Sequence, residues 1–134
     1  YILWGKRSNL IPPDSISFTL KGQWTCTYCA TETYLRRGAL TGKLLLNPID
    51  DVVEVTLNGD GLQVRADLER DKNNQLSSRL MPKELQLDGI TLTPIRSDIL
   101  GAVFGPEAQE AGLIFGIADD QGRVFTGGAT GTKQ

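Results

Sequence analysis

The sequence predicts an all-β fold, a small closed antiparallel β-barrel of about eight strands with little or no helix. Three observations carry that expectation. Apolar and polar residues alternate with period two in several stretches, which puts successive side chains on opposite faces of a sheet. Turn signals such as Asn-Gly, Asp-Gly and Asn-Pro separate these stretches at spacings of roughly 8–12 residues, as in sandwiches and barrels. Fifteen glycines in 134 residues favour the barrel, because strands must bend sharply to close a sheet and remove its edges.

The first extended stretch runs from Ile16 to Tyr28, where Ser-Phe-Thr-Leu and Trp-Thr-Cys-Thr-Tyr are rich in β-branched and aromatic residues. Ala39 to Leu46 places Leu40, Leu44 and Leu46 on one face, and Asn47-Pro48 stops it. The clearest unit is a hairpin from Val53 to Leu68. Val53, Val55 and Leu57 alternate with Glu54 and Thr56; after Asn58-Gly59-Asp60-Gly61 the pattern resumes with Leu62, Val64, Ala66 and Leu68. Asn-Gly and Asp-Gly supply the positive φ angles of tight hairpin turns. Leu85, Leu87, Ile90 and Leu92 bracket Asp88-Gly89 as a further hairpin. Leu113, Phe115 and Ile117 alternate before a turn at Asp119-Asp120-Gln121-Gly122, and Arg123 to Thr126 reads as the closing strand. Arg70 to Pro82 is polar and reads as an exposed loop, and Pro106 to Ala111 as a single helical turn.

No composition shift divides the chain, so residues 1–134 are expected to form a single domain of ordinary size. Opening at Tyr1 without an initiator methionine or signal peptide fits a mature product or an excised domain. A net charge of -2 argues against a nucleic-acid or anionic-membrane surface. No apolar run approaches the ~20 residues of a transmembrane helix. The chain has no histidine, which removes the commonest general base, metal ligand and haem ligand together.

Cys26-Thr27-Tyr28-Cys29 is the most conspicuous motif. A redox role needs its first cysteine at a helix N-terminus, where the thiol pKa falls, whereas this pair lies in a strand-like, threonine-rich stretch. Zinc needs further ligands that two cysteines without histidine do not provide. A local disulfide between Cys26 and Cys29 at a strand end is the reading preferred here, and it fits an extracytoplasmic protein. Asp50-Asp51 and Asp119-Asp120 fall at turns, where such side chains bond the local backbone; neither has the ligand spacing of a Ca²⁺ loop. No two carboxylates are placed to share acid–base work, so no catalytic residue, metal site or cofactor is expected.

Lys6-Arg7 and Arg36-Arg37 with Lys43 form small basic spots, and Tyr34, Arg36 and Arg37 are the best candidates for contact with a partner. Tyr28 with Tyr34 and Arg36 comes nearest to a stacking platform, although the acidic chain argues for ordinary surface charge. Trp4 and Trp24 are read as packing residues rather than exposed anchors. Gly127-Gly128-Ala129-Thr130-Gly131 is not a phosphate loop, because no helix follows it before Gln134.

From Gly101 the chain reads Gly-Ala-Val-Phe-Gly-Pro-Glu-Ala-Gln-Glu-Ala-Gly-Leu-Ile-Phe, followed after a turn by Gly-Arg-Val-Phe-Thr-Gly-Gly. This resembles the barrel domains of transferrin-binding protein B and related Gram-negative surface lipoproteins. There a strand enters an aromatic-Gly-Pro-x-Ala-x-Glu-x-Gly turn before the final hairpin. The matching positions are Gly101, Phe104, Gly105, Pro106, Ala108, Glu110 and Gly112. A similar ending occurs in the C-terminal barrel-like region of FecR-domain proteins, some with a Trp-Gly-Arg element like Trp4-Gly5-Lys6. The match covers about the last quarter of the chain. It departs from the pattern at Gly112-Leu113, where a Gly-Gly pair is usual, and at Thr126 in the terminal strand.

In this motif Gly105-Pro106 would force the turn, Ala108 would tuck beneath it, and Glu110 would accept hydrogen bonds from freed amides. Such duties belong to a scaffold, so the resemblance speaks first to fold. It implies a non-enzymatic module, excised from or forming the C-terminal part of a larger envelope protein, on the outer-membrane surface or in the periplasm of a Gram-negative bacterium. Its loops would bind a protein partner, as in capture of host proteins or nutrients. Two other readings stay open. A lipocalin-like carrier would hold a cavity of ~300 Å³ or more lined by Phe18, Val55, Val64 and Phe115. A redox protein would expose a reactive Cys26 thiolate.

Overall fold

The computed structural model describes residues 16–28, 35–46, 52–71, 75–78, 81–104 and 109–133. Ten strands occupy them: β1 (Ile16–Thr27), β2 (Leu35–Leu46), β3 (Val52–Gly59), β4 (Leu62–Arg70) and β5 (Gln75–Ser77), then β6 (Glu84–Leu87), β7 (Ile90–Thr91), β8 (Pro94–Phe104), β9 (Glu110–Asp119) and β10 (Val124–Lys133). All pairings are antiparallel. The strand order β3-β2-β1-β10-β9-β8-β5-β4 closes through a β3–β4 pairing, so eight strands form a complete ring. The hairpin β6–β7 is attached to the same sheet through β4.

The register explains the two additional strands. Counting on from Ser77↔Leu100 in the β5–β8 ladder leads without a slip to Gln86↔Thr91 in the β6–β7 ladder. The segment from β5 to β6 and that from β7 to β8 are therefore two arms of one long hairpin, turned at Asp88-Gly89. Against β4 the count does slip. Arg65 and Glu69 are four positions apart, while their partners Glu84 and Ser77 are seven apart, so the two ladders on β4 are offset by three residues. Opposite this seam, β8 carries a bulge between Pro94 and Arg96. Bulges of this kind bend a strand and increase its twist, which a small barrel needs.

Alternation decides what lies inside. Along β3 and β4, Val53, Val55, Leu57, Leu62, Val64, Ala66 and Leu68 are buried while Glu54, Gln63 and Arg65 face solvent. The inward residues of the other strands join them in one continuous apolar cluster that includes Phe18, Trp24, Leu44, Phe115 and Phe125. The four residues expected to line a carrier cavity, Phe18, Val55, Val64 and Phe115, are all members of this cluster. Close contact between strands explains part of the glycine content. A side chain at Gly131 would run into the Thr19 carbonyl across the β1–β10 joint that closes the ring.

Three sequence expectations are corrected. The polar stretch from Arg70 to Pro82 is not one loop: Arg70 ends β4 with its side chain buried, and β5 lies within the stretch. Polar composition concealed β5 because a three-residue strand needs a single inward side chain, which Leu76 supplies. The helical turn expected over Pro106–Ala111 is not a helix at its described end, since Glu110 and Ala111 open β9. The closing strand expected over Arg123–Thr126 extends to Lys133. Its glycines look like loop residues in sequence, but in place they let β1 approach closely.

Candidate functional site

The end of the barrel where β1 finishes and β2 begins is built by three tight turns and by one tryptophan. Trp24 is fully buried and sits opposite Gly38 of β2 and Gly127 of β10. The missing side chains make room for the indole: a Cβ at Gly38 would lie 2.5 Å from Trp24 Nε1. That nitrogen donates a hydrogen bond of 2.9 Å to the Gly59 carbonyl, so the buried ring leaves no polar atom unsatisfied. The Phe125 ring packs at a tilt, 6.3 Å between centroids.

Arg36 covers this tryptophan, its guanidinium 5.4 Å from the ring centroid. The same group donates to both carboxylate oxygens of Asp88, at 2.6 and 2.9 Å, and to the Asp60 carbonyl at 2.8 Å. Asp60 in turn accepts a 2.6 Å hydrogen bond from the Ala39 amide. One arginine thus joins β2 to the β3–β4 turn and to the β6–β7 turn, using the planar fork that lysine lacks. The hydrogen bonds from Arg36 hold the Asp88 carboxyl below the usual carboxylate range. The bond to Asp88 likewise raises the Arg36 guanidinium above its ordinary value. Asp60 and Asp88 both adopt positive φ, as do the glycines that follow them, as the sequence of these turns predicts.

The β9–β10 turn is held in a similar way. Asp119 is buried and accepts from the amides of Gln121 and Arg123 at 3.0 and 2.8 Å, and from Arg123 Nε at 2.6 Å. Turn-capping by this aspartate was expected from sequence; the ion pair to Arg123 was not. Tyr28 ends β1 at the same rim. It is 60% exposed with φ of 65°, a conformation that costs a bulky residue about 1–3 kcal/mol.

Of the three candidate contact residues, Arg36 is committed to Trp24, Asp60 and Asp88, Arg37 is exposed on the neighbouring face, and Tyr34 lies outside the described residues. Cys26 is buried near the end of β1, its Sγ 3.6 Å from the Thr27 carbonyl oxygen, and Cys29 lies outside the described residues. Trp4, Gly5, Lys6, Arg7, Asp50 and Asp51 also lie outside them. Within the turn motif, Phe104 pairs with Glu110 and Gly101 pairs with Leu113, while Ala102 pairs with Gly112, all toward the turn end of the β8–β9 hairpin. Gly105, Pro106 and Ala108 are outside the described residues, and the Glu110 side chain is exposed. Among the described residues no group of three His, Cys, Asp or Glu is gathered to hold a metal ion. No helix among them is long and apolar enough to cross a membrane.

No family model and no curated protein sequence matches this chain. Its fold does have counterparts among solved structures. A point mutant of transferrin binding protein B from Actinobacillus pleuropneumoniae H49 superposes with a TM-score of 0.62 at 8% identity, over 97% of this chain and 65% of that one. A protein described as a surface lipoprotein superposes with a TM-score of 0.63, also at 8% identity, over 97% of this chain and 66% of that one. The chain therefore spans slightly less than two thirds of each. Neither is described as a FecR-domain protein, so that part of the sequence resemblance gains no support. What the comparison shows is the fold: this chain is a barrel of the kind found in transferrin binding protein B and a surface lipoprotein.

Proposed function

We propose that the chain is a non-catalytic β-barrel module of a Gram-negative envelope protein, extracytoplasmic, that presents one rim to a protein partner. The observation that carries this reading is the division of labour within the barrel. The interior is filled by one apolar cluster, while the turns at one rim are fixed by Arg36, Asp60, Asp88 and Asp119. A rigid frame that displays loops is the usual arrangement of a binding protein. The strained, exposed Tyr28 at that rim fits such a role, since backbone strain concentrates at functional sites.

In this reading Tyr34 and Arg37 contact the partner, whereas Arg36 positions the turns beside them. A Cys26–Cys29 disulfide would fix the start of the β1–β2 connection, in keeping with an oxidising compartment. The likeness to transferrin binding protein B makes transferrin the first protein to try. Biolayer interferometry with immobilised chain, transferrin and isolated envelope proteins would test the reading. Binding that weakens at least about tenfold in Tyr34→Ala/Arg37→Ala, as expected for loss of contact anchors, with unchanged thermal stability, supports it. Equal binding by the variant, or an apolar small molecule retained by the purified barrel in native mass spectrometry, would overturn it.

A further inference from the structure

On the outer wall of the barrel, away from the rim, one side chain is missing where the sheet would be expected to carry one. Gly116 faces outward from the middle of β9, between Asp98 of β8 and Thr126 of β10 in the ladders. A Cβ built at Gly116 meets nothing within 4 Å. The result is a groove of about 290 Å³ whose lining includes Asp98, Leu100, Ile114 and Thr126.

Its chemistry is uneven in a useful way. Leu100 is 43% exposed and pairs across the ladder with the half-buried Ile114, so one wall is aliphatic. The other end is a carboxylate. Asp98 is exposed and makes no ion pair or hydrogen bond among the described residues, although Arg96 lies two positions away on the same strand. The other described carboxylates of the outer wall near the seam are engaged, Asp67 with Lys83 and Glu84 with Arg65. An open slot with an aliphatic wall and one unmatched negative charge is complementary to a long side chain that is itself aliphatic along its stem and cationic at its head.

We infer that this groove receives a lysine or arginine side chain from an extended segment of the partner protein. The stem would lie over Gly116 against Leu100 and Ile114, and the head would pair with Asp98. This deepens the proposed function and rests on the chain being a protein-binding module, but it concerns a different surface from the rim.

The test is an NMR titration of the full chain with acetyl-Thr-Leu-Lys-Leu-Thr-amide, alongside the same peptide with glutamate in place of lysine. The lysine peptide should shift the amides of Gly116 and Thr126 and bind about threefold or more tightly than the glutamate peptide, the scale of one partly exposed ion pair. Asp98→Asn should erase that preference, and Gly116→Leu should abolish the shifts by filling the slot. The Cβ of that leucine has free space, so melting temperatures equal to the wild type are expected for both variants. Equal binding of the two peptides, absence of shifts at Gly116, or shifts that survive Gly116→Leu would overturn the inference. If protein capture depends on Tyr34 and Arg37 while the groove stays silent, only the groove assignment fails. If the groove binds the lysine peptide while no protein is captured at the rim, the rim assignment fails instead.

Discussion

Asp88 shows how much of this fold is gathered at a single exposed carboxylate. The residue looks like half of a turn signal, Asp-Gly, yet its oxygens receive both prongs of the Arg36 guanidinium and so tie the β6–β7 hairpin to β2. Because its folded-state pKa is depressed, this contact stabilises the protein above the ordinary carboxylate range. The contribution fades as pH falls through the folded value, below about pH 4. The raised value of Arg36 is the same bridge seen from the guanidinium, and it brings no second titration step because arginine stays charged throughout. Melting temperature measured from pH 7 to pH 2 should therefore fall less steeply at the acid end for Asp88→Asn than for the wild type. Parallel curves would show that the Arg36 bridge does not couple to folding. Salt should weaken the wild-type advantage at neutral pH, since the pair is partly exposed.

At the scale of the element, the hairpin formed by β5–β6 and β7–β8 is the weak side of the ring. Ser78 donates its amide to the Ile99 carbonyl and accepts the Ile99 amide on its hydroxyl, and Leu92 donates to the Leu85 carbonyl. Between these points no ladder pairing joins the described residues of the two arms, and β4 loses register by three residues. Ile95 at the bulge is 60% exposed and Met81, just before β6, is 46% exposed. Segments with few buried contacts open at low free energy. Amides of Met81 and Ile95 should exchange with deuterium at least about a hundredfold faster than those of Leu20, Phe115 and Ala129 elsewhere in the ring. Uniform protection around the ring would disprove the seam. Sequence exposed the two ends of this hairpin through the alternation around Asp88-Gly89 and through the Gly101–Phe104 motif. It hid the middle, because Ile95 and Leu100 are apolar residues that face outward and so break the alternation that identifies a strand.

For the whole molecule the decisive contact is β1 against β10, which joins the two ends of the described chain over ten paired positions from Phe18↔Lys133 to Thr27↔Val124. A ring of this kind has no exposed edge at the joint, and its closure depends on pairings distant in sequence, so folding should be slow for the chain's size. Gly131→Val tests the joint directly. Its side chain would be driven into the Thr19 carbonyl, so β1 and β10 must separate locally. A loss of about 3 kcal/mol in urea denaturation, the upper part of the range for overpacking, is expected, with slower refolding. A change below about 0.5 kcal/mol, typical of an ordinary surface site, would mean that the joint yields freely and does not hold the ring closed.

The alternating runs of Val53–Leu68 and Leu113–Ile117, the Asp-Gly turns and the abundance of glycine determined a β-barrel by themselves, because period two and positive φ are local properties that neighbouring residues impose. The same local logic placed Trp24 in the packed interior and Asp119 in a turn. Only the tertiary structure decided that Arg36 belongs to Trp24, Asp60 and Asp88, which are 12, 24 and 52 residues away in sequence. It alone set Asp98 beside Gly116 to open a groove on the outer wall. Strand register makes such neighbours, and register is fixed by the closure of the whole ring rather than by any one segment.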